Sequence, residues 1–312
     1  MQYSLHSTKK YYQQEITSLG WELTVCNSLQ QRNSVCRSIL KCQDSYGNLL
    51  YSFLEQTLPM ERISAIMEVG GGYGFLMKDF LTRNPSRRAI MVDISPLLLN
   101  MQREILKRFE LKFLETDFLD MDGTVFSGID LIIMNENIGD FPTIYDLTLK
   151  QIPEVPGKTS GPLDMVARLH NTYALRLPDS ISFSFNLGAL LAIEKICLAR
   201  IPFVIITEHS CEARVPPEFG RLVQVDSPGT PMRISLKGHE EYTVKFSYLE
   251  NIARTLGYCV VRGPLADILQ PCFSERLSAI LSGPVPLSNG QEVLRHFVSD
   301  LFLYEYLILK KV

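Results

Sequence analysis

Four glycines within five residues form the most unusual stretch of the sequence. The segment MEVGGGYGF, residues 67–75, follows an apolar run and has Glu68 just ahead of its glycines. Because glycine has no Cβ and tolerates a positive φ, such a backbone can approach a ligand closely. The segment is therefore a candidate ligand-binding loop between a strand and the helical pattern FLMKDFL.

The spacing of these glycines separates two classes of nucleotide cofactor. Dinucleotide-binding loops follow G-x-G-x-x-G, in which the last glycine allows close helix packing and the pyrophosphate lies on the helix N-terminus. Here Gly70, Gly72 and Gly74 follow G-x-G-x-G, and Phe75 occupies the position of the last dinucleotide glycine. Because an acid precedes the glycines, the loop is typical of a site that binds a ligand with an ammonium group and no phosphate.

The segment EVGGGYG resembles motif I, acid-x-G-x-G-x-G, of the class I S-adenosylmethionine-dependent methyltransferases. This resemblance implies S-adenosyl-L-methionine as the cofactor, and it assigns further residues at successive strand ends. Asp93 would bind the ribose hydroxyls, because a carboxylate accepts two hydrogen bonds. Asp117 and the backbone of Phe118 would meet the adenine, and Asn135 would lie beside the sulfonium. An isolated residue of each kind is also compatible with a helix cap or a plain turn.

Methyl transfer from a sulfonium requires the enzyme to orient a nucleophile, exclude water and handle one proton. In the segment NENIGDFP, Glu136 is the first candidate for orienting an acceptor, with Asn135 beside it and Asp140 completing an acidic pair. His209 and His239 are candidate general bases, because imidazole titrates near neutral pH. The alternative is that this segment is only a turn with a solvated Glu136.

Strands must hold these residues at one edge of a sheet. The apolar runs AIMEV, RRAIMVDI, KFLETDF, IDLIIMNE and PFVIITE alternate with helical patterns, which predicts an α/β fold with a parallel sheet and helices on both faces. The methyltransferase resemblance implies a Rossmann-like, seven-stranded, mostly parallel sheet in the order 3-2-1-4-5-7-6. FLYEYLILKK would be the antiparallel strand seven. Ser95 and Pro96 predict the start of a helix.

Two segments are expected outside this sheet. Residues 1–62 are predicted to form a helical lead-in, with residues 63–312 as the cofactor-binding domain. An inserted loop or lid is expected at about 151–185, between strands four and five, because that connection is too long for one crossover helix. RISLKGHEEYTVKF predicts a hairpin, and SYLENIARTLGY a helix after it.

Three segments also resemble the MidA-like family, the protein arginine methyltransferases of respiratory complex I assembly. They are DISPLLLNMQREIL, MNENIGDFP and HEEYTVKFSYLENIARTLGY. The segment ITEHS departs from the Asp-Tyr-Gly that follows strand five in that family.

Composition limits the other possibilities. With 31 basic and 34 acidic residues and a net charge of −3, nothing predicts a nucleic-acid or membrane surface. The seven cysteines contain no C-x-x-C pair, so no metal site is predicted and reduced thiols are expected. The N-terminus lacks a signal-peptide pattern, which indicates a cytoplasmic protein.

The resemblance to class I methyltransferases implies an enzyme that methylates a nitrogen or oxygen nucleophile. The acceptor would be a protein side chain, arginine included, or a small metabolite. The alternative is a non-catalytic protein that keeps the fold, binds the cofactor and acts in assembly or interaction.

Overall fold

The computed structural model describes residues 3–16, 24–155, 157, 161–283 and 287–312. The strands are β1 (Ser4–His6), β2 (Ala65–Val69), β3 (Arg88–Asp93), β4 (Leu111–Glu115), β5 (Leu131–Asn135), β6 (Thr143–Leu147), β7 (Phe183–Phe185), β8 (Phe203–His209), β9 (Arg233–Ser235), β10 (Glu240–Tyr242), β11 (Tyr258–Pro264) and β12 (Tyr304–Lys311).

The α-helices are α1 (Val25–Ser28), α2 (Tyr46–Leu54), α3 (Phe75–Arg83), α4 (Pro96–Leu106), α5 (Pro162–Tyr173), α6 (Leu187–Leu198), α7 (Phe246–Thr255), α8 (Ala266–Leu269), α9 (Glu275–Ser282) and α10 (Asn289–Leu303). One π-helical turn spans Tyr11–Glu15, and 3₁₀ turns span Arg37–Ile39, Met60–Arg62, Phe118–Asp120, Gly123–Phe126, Ile138–Asp140 and Leu149–Gln151. Among the described residues, no helix combines the length and apolarity needed to cross a membrane.

A seven-stranded sheet in the order β4-β3-β2-β5-β8-β12-β11 forms the centre of the molecule. The first five of these strands run parallel, and β12 is antiparallel to both β8 and β11. Counted along the chain as strands one to seven, the order is 3-2-1-4-5-7-6. The predicted fold is confirmed, including the antiparallel last strand.

The central strands are hydrophobic on both faces because helices cover both faces. Ile66, Leu131 and Ile133 belong to a core that also contains residues of α2, α3 and α10. Their neighbours Met67 and Ile132 point to a second core, which contains residues of α5, α6 and α7. This double burial fixes the sheet, so its carboxyl-terminal edge is a rigid support for side chains.

The N-terminal lead-in is only partly helical, which corrects the prediction for residues 1–62. Within the described part of this segment the one long helix is α2, where the predicted apolar pattern lies, whereas β1 is a strand that pairs antiparallel with β6. Residues 17–23 of the predicted lead-in lie outside the described residues. The pairing of β1 with β6 ties the N-terminus to the insertion, a long-range contact that the local pattern does not encode.

The insertion between β5 and β8 is more regular than the predicted loop at about 151–185. It contains α5, and β1, β6 and β7 form a separate three-stranded antiparallel sheet. Residues 156 and 158–160 of the insertion lie outside the described residues. The predicted hairpin is present as β9 paired with β10, followed by α7.

Candidate functional site

A cavity of about 380 Å³ lies at the carboxyl-terminal edge of β2, β3, β4, β5 and β8. Ligands of open α/β sheets bind at this edge. Its walls include all the predicted cofactor and catalytic residues except Gly74: Glu68, Gly70, Gly72, Asp93, Asp117, Phe118, Asn135, Glu136, Asp140 and His209. Long stretches of chain separate these residues, and the parallel strands bring them together.

The predicted glycines of the loop are needed for three different reasons. Gly70 has φ +63°, and a Cβ there would lie 2.6 Å from Nδ2 of Asn137. Gly74 has φ +84° at the N-cap of α3, where a Cβ would lie 3.3 Å from Leu106. Gly72 has φ +51°, and nothing lies within 4 Å of its Cβ position. Of these three, Gly72 therefore faces the open space that a ligand could occupy.

Glu68 is a buried acid with an unsatisfied oxygen. Glu68 is only 2% exposed, and its Oε2 has no hydrogen-bond partner among the described residues. Burial, together with the charge of Asp93, raises the pKa of Glu68 to about 8. A buried acceptor without a donor costs free energy, so the site favours a ligand that brings an N–H or a positive charge.

Asp93 ends β3 and is held from two sides. Oδ1 accepts a hydrogen bond from the amide of Ser95 at 2.9 Å, and Oδ2 accepts one from Nε2 of Gln102 at 3.0 Å. Burial raises the pKa of Asp93 to about 6, although both hydrogen bonds oppose this. Each carboxylate oxygen has a second lone pair, so capacity for ribose hydroxyls remains.

Gln102 was missed as a site residue by sequence reasoning. Its Nε2 also donates to the carbonyl of Gly72 at 3.0 Å, and it therefore links the glycine loop to Asp93. The sequence feature that could have identified Gln102 is its position in the helix after Asp93, one turn beyond Leu98 and on the same buried face.

Asp117 and Phe118 lie at the end of β4. Oδ1 of Asp117 accepts from the amide of Leu119 at 2.9 Å, which caps the 3₁₀ turn, and Oδ2 lies 3.1 Å from Nζ of Lys9. Lys195 of α6 donates to the carbonyls of residues 118, 119 and 121 and so fixes this loop. The predicted adenine edge is therefore rigid, and Lys9 reaches across it.

The N-terminal segment supplies part of the cavity wall, which the sequence did not predict. Its lining residues are Ser7, Thr8, Lys9, Tyr12, Thr24, Cys26 and Asn27. Four of these residues bond to partners more than 100 positions away in the chain: Asp117 for Lys9, Asp140 for Thr8 and Tyr12, and Glu136 for Cys26. No local pattern reports such contacts.

Glu136 lies in the left-handed region, with φ +52°, which is uncommon for a residue with a side chain. Its side chain is half-buried and hydrogen-bonded to the protein, which argues against the alternative of a freely solvated turn residue. Oε2 accepts from the amide of Val25 at 3.1 Å, and Oε1 accepts from Cys26 at 3.2 Å and from Asn135 at 3.1 Å. Burial raises the pKa of Glu136, although these bonds oppose the shift. Glu136 thus anchors the first turn of α1 over the cavity.

His209 does not support the prediction of a general base. Nδ1 lies 3.8 Å from Glu241 and Nε2 lies 3.9 Å from Asp300, and the ring packs on Tyr304. Burial alone would lower the pKa of His209, but Asp300, Glu241 and the charge of Glu208 raise it to about 10. The imidazole is therefore cationic at neutral pH and has no lone pair with which to accept a proton.

His239 and Asp140 meet at the other side of this region. Nε2 of His239 lies 3.8 Å from Oδ1 of Asp140, whose Oδ2 accepts from the hydroxyl of Tyr12 at 2.9 Å. The ring of Tyr11 stacks on the imidazole at 4.3 Å. Burial lowers the pKa of His239, although Glu241 opposes this. His239 is accordingly neutral at pH 7.

Acidic side chains dominate the half of the cavity that contains Glu136. They are Glu136, Asp140, Glu208, Glu241 and Asp300. Glu208 accepts from the amides of Gly139 and His209, and burial together with the charge of Glu241 raises its pKa to about 8. We call this group the acidic end. A cavity lined with acidic side chains attracts a positively charged ligand.

No family model matches the chain, and no curated protein matches it in sequence. Solved structures do match. An uncharacterized ACR superfamily protein from Burkholderia thailandensis is 15% identical with a TM-score of 0.51, and the match covers 85% of this chain and 79% of that one. An O-methyltransferase family protein from the same organism is 13% identical with a TM-score of 0.40, over 84% of this chain and 55% of that one.

A third match is the phosphoethanolamine N-methyltransferase 2 of Haemonchus contortus, solved with phosphomonomethylethanolamine and S-adenosylhomocysteine. It is 13% identical with a TM-score of 0.46, over 86% of this chain and 53% of that one. The strand order and the likeness to the first structure show that the chain has a Rossmann-like α/β fold, with the strand order 3-2-1-4-5-7-6 expected from the sequence.

Proposed function

We propose that the chain is an S-adenosylmethionine-dependent methyltransferase that acts on a nitrogen or oxygen nucleophile. The observation that carries this proposal is one cavity in which the unsatisfied Glu68, the open Gly72 and the strand-end Asp93 adjoin the acidic end. A sulfonium nucleoside carries an ammonium group, a ribose and a positive charge, and each has a complementary group in this wall.

S-adenosylmethionine, when bound, supplies an electrophilic methyl group. The chain's own residues bind the cofactor and orient the acceptor. Glu68 and the backbone at Gly72 would hold the amino-acid part, Asp93 the ribose, and Asp117 with Phe118 the adenine. The described part of the N-terminal segment forms one wall of the cavity and would help to exclude water from the transfer.

The acceptor we propose is an amine or a guanidinium, on a protein side chain such as arginine or on a small metabolite. Five acidic side chains line the acidic end, and the imidazolium of His209 lies between two of them, Glu241 and Asp300. A cationic acceptor would balance their charge, and a guanidinium would match the planar geometry of paired carboxylates. Asn135, whose Oδ1 accepts from Thr207 at 2.6 Å, is held rigidly beside Glu136 and would orient the nucleophile.

Cofactor binding is tested by thermal unfolding with S-adenosylhomocysteine or NADH. At about 100 times its dissociation constant a true ligand stabilises the fold by about 2.7 kcal/mol. We expect a shift with S-adenosylhomocysteine, its loss in Asp93→Asn, and its retention in Asp179→Asn, which changes an exposed aspartate. A shift with NADH alone would contradict the proposed cofactor.

Transfer is tested separately with tritium-methyl S-adenosylmethionine and a cell lysate. We expect label in either the macromolecular or the small-molecule fraction, and its loss in Asn135→Ala.

The second candidate function is a non-catalytic cofactor-binding protein. It is favoured by one observation: both oxygens of Glu136 are already bonded to backbone amides of the N-terminal segment. Label in neither fraction, from protein that binds S-adenosylhomocysteine, would support this candidate over catalysis.

A further inference from the structure

We infer that Asp140, His239 and Glu241 form a binding site for a divalent transition-metal ion at the acidic end of the cavity. Each of the three residues offers one ligand atom, and these atoms lie within 4.8 Å of one another. One imidazole nitrogen with two carboxylate oxygens is a common ligand set for zinc and related ions. No metal was predicted from the sequence, because its cysteines contain no C-x-x-C pair. The fold brings Asp140 close to two residues that lie about a hundred positions later in the chain.

The backbone places the three ligands where they can converge. His239 immediately precedes β10, and Glu241 lies within it, so the two side chains are two residues apart and project to one face of the strand. The pairing of Glu241 with Ile234 of β9 fixes the hairpin. Asp140 ends the 3₁₀ turn that follows β5 and faces this hairpin.

The three ligand atoms, which lie within 4.8 Å of one another, must draw closer together to coordinate an ion. Nε2 of His239 lies 3.8 Å from Oδ1 of Asp140. Ligand atoms at about 2.0–2.2 Å from a tetrahedral zinc ion lie roughly 3.3–3.5 Å apart. Glu241 also lies 3.8 Å from Nδ1 of His209. Its ligand oxygen is already within 4.8 Å of the other two ligand atoms, and a rotation of its side chain would bring that oxygen to coordination distance.

Neighbouring aromatic residues hold two of the ligands in orientation. The hydroxyl of Tyr12 donates to Oδ2 of Asp140 at 2.9 Å, and Oδ1 is the oxygen that faces His239. Tyr11 stacks on the imidazole of His239 with an interplanar angle of 18°. Ligands that are themselves hydrogen-bonded and packed are characteristic of metal centres. An adventitious cluster of surface acids lacks such support.

The three ligands also line the cavity, so the coordination sphere would keep an open position facing it. Three protein ligands with one exchangeable position are typical of zinc sites that bind a water or a substrate atom. The ion would occupy the acidic end, and the remaining ligand would be water or an oxygen or nitrogen atom of an acceptor. This inference does not depend on methyl transfer, because metal binding is measured without the cofactor.

The test is direct titration of the full chain, with any purification tag removed and the protein treated with a chelator. Zn²⁺ binding is followed by calorimetry, and Co²⁺ binding by its visible d–d absorption. We expect one ion per chain, with Zn²⁺ displacing Co²⁺. His239→Ala and Glu241→Gln should each weaken binding by at least about tenfold. His296→Ala, which removes an exposed imidazole outside the cavity, should leave it unchanged.

Failure of the wild-type chain to bind either ion at submillimolar concentration would overturn the inference. Binding that is unaffected by Glu241→Gln, a near-isosteric change that is expected to fold, would overturn it equally. If His239→Ala fails to fold, the result for Glu241→Gln decides the test. A thermal shift with S-adenosylhomocysteine on the same samples shows whether the cofactor site is intact, which separates this result from the proposed function.

Discussion

Substituting alanine at Gly70 or at Gly72 should damage the protein in two different ways. Both residues have a positive φ, +63° and +51°, so both variants carry the same kind of backbone strain. They differ in what the new methyl group meets. At Gly70 it would lie 2.6 Å from Nδ2 and 2.9 Å from Cβ of Asn137, whereas at Gly72 nothing lies within 4 Å.

The expected free energies follow from these contacts. The left-handed conformation costs a non-glycine residue about 1–2 kcal/mol. Forcing a methyl group into packed surroundings adds about 1–3 kcal/mol, and Asn137 cannot move freely because its Nδ2 donates to the carbonyl of Val69. Gly70→Ala should therefore lower the free energy of unfolding by about 2–5 kcal/mol, and Gly72→Ala by about 1–2 kcal/mol, from a usual total of about 5–15 kcal/mol.

Urea unfolding measures the loss of stability, and calorimetric titration with S-adenosylhomocysteine measures the loss of cofactor affinity. Gly72→Ala should stay folded and lose cofactor affinity by at least about tenfold, because its methyl group enters the open space of the cavity. Equal destabilisation of both variants would refute the packing argument at Gly70. Unchanged affinity in Gly72→Ala would refute the placement of the ligand at this loop.

Three further outcomes are expected. Glu136→Ala should raise the hydrogen-exchange rates of the Val25 and Cys26 amides, which lose their acceptor, while exchange in α7 stays unchanged. The free energy of unfolding should fall, by on the order of 1–4 kcal/mol, as the pH rises from about 4.5 to about 8, because folded Glu68 retains a proton that the unfolded chain releases. Glu208, whose pKa is also raised to about 8, contributes in the same direction, so Glu68→Gln should reduce the slope in urea titrations without abolishing it. An unaltered slope would contradict the role of Glu68. Lys9→Ala removes a half-exposed ion pair at the cavity and should change the free energy of unfolding by less than about 1 kcal/mol. The variant should also bind S-adenosylhomocysteine faster in stopped-flow mixing. Slower association would contradict the role of the N-terminal segment as a wall of the cavity.

The sequence by itself determined the central sheet and the location of the cavity. Its apolar runs have nearly the bounds of the strands, and Ser95 caps α4 by accepting from the amide of Leu98, as its place before Pro96 predicts. These features are local, because strand and helix periods depend on neighbouring residues. Once the strand order is known, residues at the strand ends must meet at one edge. The predicted cofactor residues therefore came together.

Only the tertiary structure decided how the site is closed and charged. The contacts of Lys9, Tyr12, Val25 and Cys26 with the cavity join distant parts of the chain, and a single sequence carries no local signal for them. His209 looked like a base by its residue type, but the carboxylates packed around it make it a cation. Charge state depends on burial and on neighbours in space, and folding alone supplies both.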